Sequence, residues 1–246
     1  MTPPLADRIA LVTGASRGIG YATALALAKA GARIVAVART VGGLEELDDA
    51  IRALGGAATL VPLDLKDYAG IDRLAPALHE RFGRLDVLIG NAGVLGPLSP
   101  LGHVEPTAWD DVIAVNVTAN WWLIRAFDPL LRRSEAGRVV FVSCGVAAQA
   151  TAYWGPYAAS KAALEVLART YAAETATTKV RVNVLVPGPI RTRMRAQAFP
   201  GEDPMTLETP DKVADRIVEL CLPSLQESGK LYDFRKGRFL EFQPPS

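Results

Sequence analysis

Short apolar runs alternate along the chain with longer stretches in which alanine and leucine recur at helical spacing. The apolar runs fall at residues 9–13, 33–38, 59–62, 85–90, 138–143 and 180–186, and the helical stretches at 18–30, 44–54, 68–82, 108–131 and 157–176. A run that is apolar throughout, without alternation, predicts a strand buried on both faces, as in a parallel sheet between two helical layers. Repeated βα units of this kind predict an α/β, doubly wound parallel-sheet Rossmann fold. Ligands in such a fold bind at the carboxyl ends of the strands. No repeat or long linker interrupts the pattern, so a single domain over residues 1–246 is expected.

One stretch breaks the rhythm. Residues 187–210 hold five prolines, Pro187, Pro189, Pro200, Pro204 and Pro210, with Arg193, Met194, Arg195 and Met205 among them. An irregular insert of this length after a strand end reads as a substrate lid, or as a plain connection.

Composition removes several classes of function. The chain has 246 residues and a formal charge of +1, from 27 basic and 26 acidic side chains with no block of either sign. Nucleic acid and anionic membrane surfaces are therefore not its expected partners. Cys144 and Cys221 are too few and too far apart for a disulfide framework, and His79 and His103 have no companion ligands, so no metal is expected. The first eight residues lack a secretory layout, and the apolar run after them is broken at Gly14, so a cytoplasmic address is expected.

The first candidate chemistry follows the first strand, at Thr13-Gly14-Ala15-Ser16-Arg17-Gly18-Ile19-Gly20. Glycines there allow a tight turn and close backbone approach, and the N–H groups at the start of the next helix attract a phosphate. This marks Gly14, Ser16, Arg17, Gly18, Ile19 and Gly20 as dinucleotide-binding. The second strand ends in Val37-Ala38-Arg39-Thr40. A carboxylate at that point would bind a ribose 2′-hydroxyl, whereas an arginine accepts a 2′-phosphate. Arg39, helped by Arg17, therefore predicts NADP(H) over NAD.

The second candidate is Tyr157-Ala158-Ala159-Ser160-Lys161. Positions i and i+4 share a helix face, and a cation near a phenol lowers its pKa, so the pair could pass a proton to or from a substrate oxygen. Taken alone, this spacing arises by chance on many helices.

Together these motifs resemble the short-chain dehydrogenase/reductase family. Asp64-Leu65 after the third strand, Asn91-Ala92-Gly93 after the fourth, Asn116 in the long helix and Pro187-Gly188-Pro189-Ile190-Arg191-Thr192 after the sixth stand in the family's order and spacing. Asn91–Gly93 with Leu95-Gly96, Trp154–Tyr157, and Arg191–Arg195 through Phe199–Pro204 look closer still to its YciK-like bacterial branch of oxidoreductases. The resemblance implies that Asp64 bonds the adenine, Leu65 adds a backbone contact, and Asn91, Ala92 and Gly93 line the cofactor groove. It implies that Tyr157 is the general acid/base and that Lys161 lowers its pKa and holds the nicotinamide ribose. Asn116 would position a relay water. Pro187, Gly188, Ile190 and Thr192 would meet the nicotinamide end or the phosphates. The implied activity is hydride transfer between NADP(H) and a carbonyl or alcohol substrate.

The family also places a serine thirteen residues before the tyrosine, where this chain has Cys144, with Ser143 beside it. A thiol is a weak donor. Either Cys144 takes the oxygen-binding place and activity is reduced or specialised, or a bulge re-aims Ser143 and activity is normal, or the protein binds NADP(H) without turnover. Trp121, Trp122, Tyr153, Trp154, Met194 and Phe199 could supply apolar surface, and Arg193 and Arg195 could draw an anion or be merely solvated. Trp121 and Trp122 on one helix suggest a homodimer or homotetramer, or core packing.

Overall fold

The computed structural model describes residues 2–242; Met1 and residues 243–246 of the expected domain lie outside the described residues. Eight strands form one sheet in the order β3-β2-β1-β4-β5-β6-β7-β8. They are β1 (Ile9–Thr13), β2 (Arg33–Ala38), β3 (Ala58–Pro62), β4 (Val87–Gly90), β5 (Arg138–Val142), β6 (Arg181–Val186), β7 (Leu231–Asp233) and β8 (Arg238–Leu240). All pairings are parallel except β7 with β8. The doubly wound α/β expectation holds, and the sheet gains two short strands beyond the six predicted.

The two faces of the sheet are covered separately. One core joins β1 and β2 to α1 (Gly18–Lys29), α2 (Val41–Arg52) and α9 (Pro210–Leu220). The other lies under α3 (Tyr68–Phe82), α5 (Ala119–Leu131) and α7 (Gly155–Glu174). Strands β1, β4 and β5 are buried at every position, which is why they read as unbroken apolar runs. The remaining helices, α4 (Pro106–Ile113), α6 (Val146–Gln149) and α8 (Arg193–Ala198), are short.

Two differences from the sequence reading bear on the site. The long helix expected at 108–131 is α4 and α5 joined through a π turn at Ala114–Thr118, which carries Asn116. A π turn inserts one residue, so the helix faces before and after it are offset. Residues 187–210, read as irregular, hold α8, a 3-10 turn at Pro204–Thr206 and a bridge between Ile190 and Glu208.

Candidate active site

At the carboxyl ends of the parallel strands lies a cleft of about 950 Å³. Of the residues given catalytic or cofactor-binding roles in the sequence, all but Gly20 and Asn116 line it; of the apolar candidates Trp154 and Met194 do, whereas Trp121, Trp122, Tyr153 and Phe199 do not. Gly20 and Asn116 sit behind the wall: a Cβ on Gly20 would collide with the Gly14 carbonyl oxygen, and Asn116 is fully buried.

The cofactor end is built around Thr13. Its Oγ1 donates to the Ile89 carbonyl at 3.1 Å and accepts from the N–H groups of Asn91 (3.0 Å) and Ala92 (3.1 Å). The Asn91 amide in turn donates to the Thr13 carbonyl at 2.9 Å. These bonds stitch the ends of β1 and β4 together. Gly14 adopts φ +67°, and a Cβ there would stand 2.9 Å from the Asn91 amide nitrogen. The glycine thus meets both a backbone and a space requirement. Thr13 itself was visible in the motif, but its role as the hub needed the strand register.

The start of α1 has the character of an anion site. Arg17 at its N-cap makes no side-chain bond to the helix, and no acid sits in the first turn. By contrast α3 is capped by Asp67, which accepts from the Gly70 N–H at 2.9 Å. Helix N–H groups lacking a side-chain acceptor, with the positive end of the dipole behind them, suit a phosphate. Thr192 faces this loop, its Cγ2 being 3.5 Å from where a Cβ on Gly18 would lie. Pro187, Gly188 and Ile190 form the adjoining wall.

On the rim, Arg17 and Arg39 line the same end of the cleft. Arg39 lies 3.8 Å from the Asp64 carboxylate; both are well exposed, so the pair is weak and the guanidinium stays available. Asp64 also accepts from the Lys66 N–H at 2.9 Å, and Leu65 is buried beside it. Thr40, at the N-cap of α2 without a side-chain bond, lines the rim too. It was not singled out from the sequence, although hydroxyls at N-caps near an arginine are a readable signal.

At the other end, Tyr157 and Lys161 are both buried on one face of α7. Lys161 Nζ donates to the Val142 carbonyl at 2.8 Å and lies 5.7 Å from the centre of the Tyr157 ring. Burial pushes the Tyr157 phenol up, with a smaller contribution from the Cys144 sulfur, and pushes the Lys161 ammonium down to about 8. This corrects the expectation that Lys161 lowers the tyrosine. Loss of water outweighs an ammonium at that separation, because both side chains are nearly cut off from solvent.

Asn116 is also more committed than expected. Its Oδ1 accepts from the Val94 N–H at 2.8 Å, and its Nδ2 donates to the Val94 carbonyl and to Ser160 Oγ, both at 2.9 Å. Asn120 donates to the Asn116 carbonyl at 2.9 Å, bracing the π turn. The Asn116 amide therefore fastens the 94 segment to α7. A Cβ on Gly93 would lie 3.2 Å from Asn116 Oδ1 and 3.5 Å from Lys161 Nζ, so this glycine lets the three close up.

Just past β5, Ser143 is buried and its Oγ donates to Glu165 on α7 at 2.6 Å. Cys144 is half-buried. No bulge re-aims Ser143: its N–H continues the sheet by donating to the Leu185 carbonyl at 2.8 Å. Burial raises the Glu165 carboxyl. The sequence reading missed Glu165, which lies one helical turn beyond Lys161 on the same face.

The wall beyond Tyr157 is aromatic and sulfur-rich. The Trp154 ring lies 6.1 Å from that of Tyr157 and 5.7 Å from that of Phe199, and Tyr157 Oη meets Met194 Sδ at 3.7 Å. Among the described residues no cluster of acids, histidines and cysteines could hold a metal, and no helix is long and apolar enough to cross a membrane.

A sheet of this order with these motifs at its carboxyl edge defines a nucleotide-dependent oxidoreductase, and comparison with known proteins agrees. The short chain dehydrogenase family model matches residues 8–203. The oxidoreductase YciK of Escherichia coli (strain K12) is 39% identical over 238 residues, 95% of this chain and 94% of that protein. A short chain dehydrogenase from Shigella flexneri 2a, solved with NADP, is 38% identical with a TM-score of 0.92, over 96% of this chain and 100% of that one. Another from Escherichia coli CFT073, solved with NADPH, is 38% identical with a TM-score of 0.91, over 96% and 99%. The chain belongs to the short chain dehydrogenase family. It resembles the YciK oxidoreductase along nearly its whole length.

Proposed function

We propose that the protein transfers hydride between NADP(H) and a carbonyl or alcohol group, with Tyr157 as general acid/base. The observation that carries this reading is one cleft with two ends: an uncapped helix start flanked by Arg17 and Arg39, and a buried Tyr157–Lys161 pair. The first end suits a phosphorylated dinucleotide, and bound NADPH would supply the hydride. Gly14, Ser16, Gly18 and Ile19 would hold the diphosphate, Asp64 and Leu65 the adenine, and Asn91, Ala92 and Gly93 the ribose side. Pro187, Gly188, Ile190 and Thr192 would hold the nicotinamide end.

In reduction the Tyr157 hydroxyl donates its proton to the substrate oxygen; in oxidation the same oxygen takes it back. A phenol held up by burial is fully protonated at neutral pH, as an acid must be. Lys161 lies behind it with a pKa near 8, able to pass a proton near neutrality. Asn116 keeps the wall beside Lys161 closed. Residues 187–210 act as a lid, Met194 resting on the Tyr157 hydroxyl. The surroundings are cytoplasmic. Trp121 on α5 and Val166 on α7 remain exposed, and a homodimer or homotetramer would cover them.

A rival reading is a protein that binds NADP(H) without turnover, favoured by Cys144 standing where a hydroxyl is expected. Oxidation of NADPH by a panel of ketones, aldehydes and diketones separates the two, since binding without oxidation supports the rival. The cofactor assignment has its own test. Arg39→Ala is expected to weaken NADPH about 10- to 100-fold, the range for losing a charge-assisted contact, and to change NADH by less than about 3-fold. Equal losses for both nucleotides would remove Arg39 from the 2′-phosphate site.

A further inference from the structure

Resting on that reading, we infer that the site selects carbonyl compounds already activated by a neighbouring carbonyl group and bearing an aryl substituent. Two independent features of the wall beyond Tyr157 carry this.

The first is the poverty of donors at the substrate oxygen. Ser143 Oγ is spent on Glu165 at 2.6 Å, and Cys144 lines the cleft in the place beside Tyr157. A thiol donates weakly, so of Ser143, Cys144 and Tyr157 only the Tyr157 hydroxyl is a strong donor free for the substrate oxygen. In reduction the carbonyl carbon gains the hydride that NADPH supplies, and the π pair moves to oxygen. That oxygen takes the Tyr157 proton, giving the alcohol and NADP⁺, and the phenolate regains a proton from solvent by way of Lys161. Negative charge builds on the oxygen before the proton arrives. A second donor there would ease that charge by about 10²–10³ in rate. An adjacent ester or ketone carbonyl withdraws the same charge within the substrate, so activated carbonyls lose least by its absence.

The second feature is the apolar wall. Trp154 and Met194 adjoin Tyr157, Phe199 packs behind Trp154, and two of the lid cations near them are occupied. Arg195 makes two 2.6 Å bonds to Glu202 and stacks on Phe199, its guanidinium carbon 3.7 Å from the ring centre. Arg191 donates to the carbonyls of Pro204 (2.8 Å) and Leu207 (3.4 Å). Arg193 is exposed at the mouth of the cleft, and among the described residues no aromatic contact ties it to the Trp154 and Phe199 rings. Flat apolar rings at these spacings suit an aryl group better than a charged one.

The test uses three carbonyls with NADPH: ethyl benzoylformate (aryl and activated), acetophenone (aryl, not activated) and ethyl pyruvate (activated, no aryl). Cys144→Ser is expected to raise kcat/KM for acetophenone at least about 30-fold and for ethyl benzoylformate less than about 3-fold. Cys144→Thr, which restores the same donor with a branched side chain, should move the ratio in the same direction. The wild-type KM for ethyl benzoylformate should be about 10-fold below that for ethyl pyruvate. Apart from turnover, ethyl benzoylformate should protect Cys144 of the NADP⁺-loaded enzyme from iodoacetamide, with fully buried Cys221 as the internal reference. Equal gains on both ketones, no gain in either variant, no aryl preference in KM, or no protection would each overturn the inference while leaving the oxidoreductase reading intact. NADPH binding with no oxidation by any of the three, in wild type or variants, would overturn both.

Discussion

Tyr157→Phe is expected to lower kcat about 10³-fold while NADPH affinity changes by less than about 3-fold. The substitution removes one oxygen from a buried ring and leaves its packing in place. The Trp154 ring at 6.1 Å and the Lys161 ammonium at 5.7 Å keep their partner, and among the described residues the only bond lost is the weak one to Met194 Sδ. Folding should therefore survive, so a fall in rate would report the missing proton rather than a damaged cleft. Water cannot easily replace the hydroxyl, because Met194 lies against it and the tyrosine is almost fully buried. Because burial raises the phenol, reduction by the wild type should persist across neutral pH. Alcohol oxidation, which needs the phenolate, should climb toward alkaline pH. Single-turnover rates with saturating NADPH decide the matter. A variant keeping more than a tenth of the wild-type kcat would take the general-acid role from Tyr157.

Much of this machinery is written locally. The glycine loop can be read because its requirements are those of one turn: a positive φ at Gly14 and Gly18, and no Cβ against Asn91. Strands β1 and β2 and helix α3 begin and end where the pattern says, since burial on both sheet faces and the Asp67 cap leave little ambiguity. Other parts depend on contacts far apart in sequence. Helix α2 starts at Val41, ahead of two glycines that argue against a helix, because Gly43 packs against the Ser16 backbone. A π turn that inserts a single residue leaves the apolar spacing of 108–131 almost unchanged, so Asn116's setting could not be foreseen. Strands β7 and β8 have three residues each, too few to carry a period. Helix α9 could have been found: Thr209-Pro210-Asp211 is a start signal, and buried Val213, Ala214, Ile217 and Leu220 repeat at helical spacing. The Ser143–Glu165 bond required knowing that α7 crosses the end of β5. The direction of the Tyr157 shift failed from spacing for a related reason. Spacing shows that a cation is near, and desolvation is a property of the whole surrounding fold.

That same desolvation makes Lys161→Met the sharpest test of how the site trades stability for chemistry. The variant is expected to lose about 10²–10³ in kcat and yet to be more stable than the wild type by about 1–2 kcal/mol at pH 7. Lys161 falls from 10.5 to about 8 on burial, so the fold disfavours its charged form. One pKa step is about 1.4 kcal/mol, which puts the cost of the buried ammonium at about 3 kcal/mol. Methionine removes that cost but leaves the Val142 carbonyl without its 2.8 Å partner, a loss of about 1–2 kcal/mol. The sign with pH follows from the depressed value. Below pH 8 the lysine is protonated whether folded or unfolded, and the cost is present in full. Between about 8 and 10.5 the folded state releases the proton while the unfolded chain keeps it, so wild-type stability gains as pH rises. The advantage of the methionine variant should therefore shrink across that window. Urea unfolding of both proteins at pH 7 and pH 10 measures it directly. A variant less stable than the wild type at pH 7, or an advantage that grows with pH, would show that Lys161 is held by more than the Val142 carbonyl and that its ammonium is not strained by burial.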